Sequence, residues 1–370
     1  MKICNLLLCL NKGGAENVAT ILSNTWSKNN HDLSLVVLIN RKEWPFAYHL
    51  NKNIKVYDLD LYSKSDSFFQ ALKKNILRLR KIRKILKKIN PDIVIAHCSR
   101  EITLTFFSTF FLNINIIGYI HSHPKLVKER SFLWRVLAYL SFSFINHCVI
   151  FGKSSNSFLP FLARKKSIVI ENVSNENLNE KLQIDSSIKN IIIVGSFIQV
   201  KNHLFAIRAF SNLQNQFDDW TLTIVGDGPL RIEYLNLIKK LNLEKKVFLP
   251  GNKDNIYEFY SKASIFLLPS LSEGMSLSLL EAIKFRLPVI ISNCSESQNE
   301  ILTNNYNSII YKKSSIEDLT LSMKNLMTDR NLRETMSANL EFLSNKISNK
   351  KIIEKWEIIL EKYNEKKIFN

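Results

Sequence analysis

From Lys2 to Tyr311, short apolar runs alternate with longer stretches of helical periodicity, and this alternation constrains the fold more than any other feature. In the amino half, strand-like runs cover Lys2–Leu10, Leu33–Ile39, Ile54–Leu59, Ile93–His97, Ile116–His121, Cys148–Phe151 and Ser167–Ile170. Helical patterns over Ala15–Lys28, Phe68–Ile89, Glu101–Phe111 and Leu133–Ser143 lie among them. A polar stretch rich in Asn and Ser, residues 171–187, reads as a linker. The alternation then restarts, with strands at Asn190–Gly195, Thr221–Gly226, Val247–Leu249, Ser264–Leu268, Val289–Ser292 and Ser308–Tyr311. Helical patterns dominate from Asn331 onward.

Repeated βα units predict parallel, doubly wound sheets, with ligands held beyond the carboxyl ends of the strands. At 370 residues the chain exceeds one ordinary core. The expected architecture is therefore α/β, with two Rossmann-like domains facing a central cleft, the natural place for a ligand. The domains are expected at residues 1–180 and 181–345, with a carboxyl-terminal helix over 346–370 packing back on the first. A hydrophobic content of 46% with mixed charge excludes a disordered chain. Cys4, Cys9, Cys98, Cys148 and Cys294 are scattered without metal-binding spacing, as free thiols in a reducing compartment would be.

Met1–Leu10 has the apolarity of a signal segment, but Asn11-Lys12-Gly13-Gly14 follows where a cleavage site would stand, so it reads as a buried first strand. Ile102–Ile120 carries no charge over nineteen positions, which is long enough for a membrane span. Asn113 and Asn115 break the run, and a helix followed by a strand fits it better. The same holds for Phe132–Phe151, which Arg135, Asn146 and His147 interrupt.

The net charge of +18 is uneven: residues 1–185 hold 27 Lys and Arg against 13 Asp and Glu, or +14, leaving +4 for the rest. Nine of those bases lie in Ala71–Ile89, where Leu72, Ile76, Leu79, Ile82, Leu86 and Ile89 keep helical spacing. Two uses fit this pattern: a core-packed helix with a solvated basic face, or docking onto an anionic membrane surface. The helix lacks aromatics for base stacking and no nucleic-acid motif is present, so nucleic acid is not an expected partner.

Chemistry concentrates in loops of the second half. The segment Ser264–Ser292 reads as strand, Ser/Gly-rich loop, helix and strand, with Glu273 in the loop and Glu281 inside the helix. The amino terminus of a helix offers free N–H groups and a positive dipole end, which suit phosphate. Glu273 beside such a site suits hydroxyls instead, since two anions repel, and a sugar joined to a phosphate supplies both groups. Glu281 is flanked on its helix by Leu277 and Phe285, so its carboxylate is either partnered, for instance by Lys284, or working. Two more loops follow strands on the same edge: Val194–Asn202, which carries Lys201, and Ile224–Arg231, where Gly226 and Gly228 permit a tight turn and Pro229 opens a helix.

Together these residues resemble family 4 of the retaining glycosyltransferases, of the GT-B fold, over nearly the whole chain. Glu273 and Glu281 match that family's E-x7-E signature, Gly13-Gly14-Ala15-Glu16 its glycine loop, and Tyr119-Ile120-His121-Ser122-His123 its strand-end histidine. The resemblance implies that Lys201 meets the donor diphosphate, Glu273 the hydroxyls of the transferred sugar and Glu281 the ribose. It implies that the main chain of Gly274, Met275, Ser276 and Leu277 holds phosphate, and that Gly14 and Ser196 also face the donor. His121, which ends its strand, would hydrogen-bond the reacting sugar; His123 is the alternative. Many members carry a basic residue where this chain has Ser196, so Lys201 carries more, or Arg100 or Arg286 contributes.

Asp58-Leu59-Asp60 spells a metal-binding D-x-D triplet but has no supporting motif, so no metal or other cofactor is expected. Lys201 and the helix dipole would then offset the charge of the leaving diphosphate. The expected function is a retaining, metal-independent glycosyltransferase, moving a sugar from a nucleotide sugar (a UDP-sugar) to a cell-surface glycan or lipid-linked oligosaccharide. The basic amino half places it in the cytoplasm, peripherally on the inner face of the plasma membrane. A nucleotide-sugar epimerase or hydrolase of the same fold, and a non-catalytic carbohydrate-binding protein, are the competing readings.

Overall fold

A computed structural model describes residues 1–11, 13–39, 48–61, 68–121, 131–174 and 187–368. Contacts divide the chain into two units, Met1–Ser174 with Lys350–Asn370, and Asn175–Asn349. Each contains one sheet, and every strand pair in both sheets is parallel. Parallel strands are covered on both faces, so they read as continuous apolar runs in place of an alternating pattern.

In the first unit β1 (Lys2–Leu7), β2 (Asp32–Val37), β3 (Lys55–Asp58), β4 (Ile93–His97), β5 (Asn115–Tyr119), β6 (His147–Ile150) and β7 (Ser167–Val169) form a seven-stranded sheet of order β3-β2-β1-β4-β5-β6-β7. The order reverses between β1 and β4, which places the switch point of a doubly wound sheet there. The helices are α1 (Gly14–Lys28), α2 (Phe68–Ile89), α3 (Cys98–Ser108), α4 (Phe132–Phe144) and the short α5 (Phe161–Arg164). Ile82 and Leu86 of α2 enter a core built on Cys4, Leu6, Val36 and Val94, while Lys81, Lys84, Lys87 and Lys88 stay exposed. Residues 102–120 form the end of α3 followed by β5, and no described helix is long and apolar enough to cross a membrane.

The second unit holds β8 (Asn190–Val194), β9 (Thr221–Val225), β10 (Val247–Gly251), β11 (Ile265–Leu268), β12 (Val289–Ser292) and β13 (Ser308–Tyr311), in the order β10-β9-β8-β11-β12-β13. Here the reversal lies between β8 and β11. Around this sheet run α6 (His203–Ser211), α7 (Arg231–Lys240), α8 (Tyr257–Ser261), α9 (Leu277–Lys284), α10 (Glu296–Asn299), α11 (Ile316–Thr328) and α12 (Arg330–Lys346). Phe197, Phe210, Trp220 and Tyr234 fill its core together with the isoleucines of β8.

The last helix, α13 (Asn349–Ile368), belongs almost wholly to the first unit. Trp356 is fully buried, edge-on to Trp26 at 5.5 Å and to Tyr119 at 5.2 Å between ring centroids. Asn29 donates to Glu357 at 3.0 Å, and Lys355 pairs with Glu171. Burying a tryptophan of this size removes roughly 150–250 Å² from water, enough to fix the helix in place.

Candidate active site

The switch point of the second sheet collects the predicted donor residues. The loop after β8 turns through Gln199–Lys201 and enters α6 at Asn202, whose φ of 57° is left-handed. The loop after β11 is tied to it, because Leu271 N–H donates to Val200 O at 2.8 Å and the Asn202 amide to Pro269 O at 3.3 Å. This stitching brings Lys201 Nζ to 2.6 Å from Glu273 Oε1, and Ser270 Oγ donates to that same oxygen at 2.7 Å. Both side chains are largely covered, Lys201 at 20% and Glu273 at 11% exposure. No described residue bonds Glu273 Oε2, which leaves that oxygen to accept hydroxyls. Lysine carries three donors, so Nζ can hold Glu273 and a second anion together.

Two glycines let a third loop close on the loop after β8. A Cβ on Gly226, at φ 139°, would lie 2.0 Å from Gly195 O. One on Gly228 would lie 2.7 Å from Phe197 O, so only glycine allows these backbones to meet. Phe197 N–H donates to Asp227 O at 2.9 Å, and Leu230 N–H to Phe197 O at 3.1 Å. Gly195 in turn faces His203 Nε2 at 3.5 Å and Lys201 Cδ at 3.7 Å from its would-be Cβ. Burial and the neighbouring Lys201 charge push His203 down to about 3, which keeps it neutral.

Gly274, Met275, Ser276 and Leu277 lead from Glu273 into α9, with Ser276 at its N-cap. The first-turn N–H groups of α9 have no intrahelical acceptor, and Ser295 Oγ holds the approach by donating to Gly274 O at 3.0 Å. The Lys284 ammonium donates to Asn349 at 2.8 Å, and Glu281 is buried at 6% exposure. Its partner is Tyr260, whose hydroxyl lies 2.9 Å from Glu281 Oε2 and 3.1 Å from Ser278 O. One phenolic hydrogen cannot serve both acceptors, whereas a protonated Glu281 can donate to Tyr260 while Tyr260 donates to Ser278. Burial raises Glu281 to about 7, with Tyr260 and Lys284 opposing the rise.

Gly14 and His121 belong to the first unit. Gly14 opens α1, and the Glu16 side chain folds back so closely that a Cβ on Gly13 would touch its Oε2. His121, just past β5, ends a hydrogen-bonded chain that crosses this sheet's switch point. Ser23 Oγ donates to Ala19 O at 2.7 Å and accepts from Asn5 Nδ2 at 2.9 Å. Asn5 Oδ1 therefore accepts from His97 Nε2 at 2.9 Å, which leaves His97 Nδ1 to accept from His121 Nε2 at 2.8 Å. His121 Nδ1 is then the acceptor nitrogen; it is buried, makes no close hydrogen bond to a described residue, and has the Asn172 side chain as its polar neighbour. The two rings stack at 5.1 Å and 8°. Burial lowers His97 well below the usual range and His121 to about 3, with the Asn172 side chain opposing the latter. Both rings are neutral near pH 7.

Ser196 is exposed beside the Lys201–Glu273 cluster in the second unit. Arg286 lies past the carboxyl end of α9 and pairs with Glu341 of α12 at 3.3 Å. Arg100 lies on α3 in the first unit. Asp58 Oδ1 accepts from Asp60 N–H at 2.9 Å, a local turn. His123 lies outside the described residues. Sequence reasoning missed Ser270, Tyr260, Asn5 and His97. Of these, only His97 left a signal, as a histidine ending an apolar run just as His121 does.

The family model for glycosyl transferases group 1 matches residues 174–341, and that for glycosyltransferase family 4 matches residues 12–151. An uncharacterized glycosyltransferase of Haemophilus influenzae is 26% identical over 356 residues, covering 94% of this chain and 96% of that protein. A Campylobacter jejuni α-1,4-N-acetyl-D-galactosaminyltransferase, named for a diphospho-undecaprenol-linked glycan, is 23% identical and covers 96% of this chain and 97% of its own. Among solved structures, Anabaena HepE in complex with UDP superposes with a TM-score of 0.78 at 15% identity, covering 98% of this chain and all of that one (100%). Matched in both halves and built from two doubly wound units, the chain belongs to glycosyltransferase family 4, of the GT-B type.

Proposed function

We propose that this glycosyltransferase moves a sugar from a UDP-sugar to a lipid-linked oligosaccharide or cell-surface glycan, with retention of configuration and without a metal ion. The observation that carries the reading is the Lys201–Glu273 pair at the switch point of the second sheet. Lys201 serves the diphosphate, while the N–H groups from Gly274 to Leu277 and the positive end of α9 supply the remaining countercharge. As the bond from sugar to diphosphate lengthens, this fixed positive field stabilises the leaving group. Glu273 Oε2 accepts sugar hydroxyls, Glu281 the ribose, and neutral His121 accepts a sugar hydroxyl at Nδ1. Gly14 and Ser196 border the donor. The lipid-linked glycan for which the Campylobacter jejuni relative is named supports an acceptor of that class and a peripheral position on the inner membrane face.

The test is turnover of a panel of UDP- and GDP-sugars with and without chelator, the anomeric configuration of the product being read by NMR. Lys201→Ala and Glu273→Ala should each lower kcat/KM by roughly 10²–10³, the loss seen when one transition-state contact is removed. Full activity in both variants would overturn the site. Conversion of donor without acceptor would favour an epimerase or hydrolase, and activity abolished by chelator would overturn the metal-free mechanism.

A further inference from the structure

Helix α4 presents its large apolar side chains to the outside. Phe132, Leu133, Val136, Tyr139, Leu140 and Phe144 are between 38% and 73% exposed, whereas its buried positions are Ala138, Ser141, Phe142 and Ser143. At 100° per residue those six span roughly 140° of the helix, one continuous face. The inner face is fixed to α3, where Thr103 Oγ1 lies 3.2 Å from Ser141 Oγ. The surface continues past the helix. Phe144 stacks on Phe106 at 6.4 Å, Phe106 meets Phe110 at 6.1 Å, and Phe111 beyond it is 93% exposed. On the other side α5, packed on α4, exposes Phe161 and Leu162. A patch of this kind on a soluble domain marks an interaction surface.

Its charge is one-sided. From Ser131 to Ile170 the chain holds Arg135, Lys153, Arg164, Lys165 and Lys166 and no Asp or Glu. Two of these cations flank the aromatic rings themselves, Arg135 5.8 Å from the Phe132 centroid and Lys165 4.7 Å from that of Phe161. We infer that α4, α5 and the turn after α3 form the docking surface for an anionic bilayer. The apolar face enters the boundary between headgroups and acyl chains, and the exposed Arg135 and Lys165 meet lipid phosphates, while Arg164 and Lys166 donate to backbone carbonyls. A second copy would set the same acid-free cationic surface against itself, in a chain whose net charge is already +18. A polyanion would satisfy the cations but leave the six apolar side chains in water. The basic face of α2, with Ile82 and Leu86 committed to the core, then acts only as long-range attraction.

This inference rests on the peripheral-membrane part of the reading above and not on sugar transfer, so it is tested without turnover. The full-length protein is sedimented with vesicles of phosphatidylglycerol and phosphatidylcholine, and with phosphatidylcholine alone, at about 0.1 and 0.5 M salt. Wild type should bind the anionic vesicles. The variant Phe132→Ser/Val136→Ser/Tyr139→Ser should lose at least about tenfold in partitioning at both salt concentrations. Arg135→Glu/Lys165→Glu should lose binding mainly at low salt, and Lys81→Glu/Lys84→Glu/Lys88→Glu should keep most of it. All replaced side chains are exposed, so unchanged thermal unfolding and UDP affinity are expected throughout. The inference is overturned if the α4 variant binds as wild type does, or if the α2 variant alone abolishes binding. A wild-type dimer dissociated by the α4 substitutions would assign the face to a second copy instead.

Discussion

Replacing Glu281 by Gln is expected to make the ligand-free protein more stable at pH 8 while weakening its hold on UDP. Burial raises this carboxyl from 4.5 to about 7, and the Tyr260 hydroxyl offsets only part of the rise. At about 1.4 kcal/mol per pH unit, keeping it ionised at pH 8 costs the folded state about 3 kcal/mol. The direction follows from proton counting. Between pH 4.5 and about 7 the folded protein keeps a proton that the unfolded chain has released, so stability falls as pH rises through this window. Gln keeps the shape, can donate to Tyr260 through its amide as the protonated acid does, and carries no charge. The variant should therefore melt roughly 6–12 °C above wild type at pH 8, given 2–4 °C per kcal/mol for a domain of this size. Near pH 4.5 the two should converge. His121 and His203, lowered to about 3 in the fold, take up protons in this range only when the chain is unfolded, and equally in both proteins, so they cancel in the difference. Differential scanning calorimetry from pH 5 to 8 measures the first effect, and titration calorimetry with UDP the second. A variant that melts at or below wild type at pH 8, or a difference flat across pH, would refute the reasoning.

Three further outcomes are expected. His97→Ala removes the acceptor that fixes the His121 proton on Nε2, so kcat should fall about tenfold with UDP affinity unchanged; ¹⁵N NMR should show both His121 tautomers populated. Gly226→Ala forces a Cβ to within 2.0 Å of Gly195 O at φ 139°, and urea unfolding should reveal a loss of about 2–4 kcal/mol together with weaker UDP binding. Trp356→Ala empties a fully buried site between Trp26 and Tyr119 and should cost about 3–5 kcal/mol, with proteolysis beginning in the first unit.

The strands were legible because parallel strands are buried on both faces: Ile191–Ile193 and Ile265–Leu268 read as apolar runs whatever their neighbours. Their order was not. That β8 pairs with β11 across the switch point depends on long-range packing, and it is this pairing that sets Lys201 against Glu273, 72 residues away. Glu281 was recognisable as a carboxylate on an apolar helix face, but Tyr260 comes from a separate helix and carries no local mark. His97 and Asn5 are 92 residues apart and meet only because β1 and β4 are neighbours. Helix α4 misleads in the opposite way. Its composition reads as core, yet periodicity alone cannot say which side of an apolar helix faces the protein.

The placement of α13 has a consequence for how the protein is made. The first unit lacks Trp356 and Lys355 until the whole of Asn175–Asn349 has left the ribosome. At about 5–20 residues per second, the second unit has its complete sequence before the first does. Until then Trp26 and Tyr119 lack the Trp356 indole that covers them, which leaves apolar surface of the nascent first unit open. The second unit is completed first, and the unit bearing His121 is sealed last.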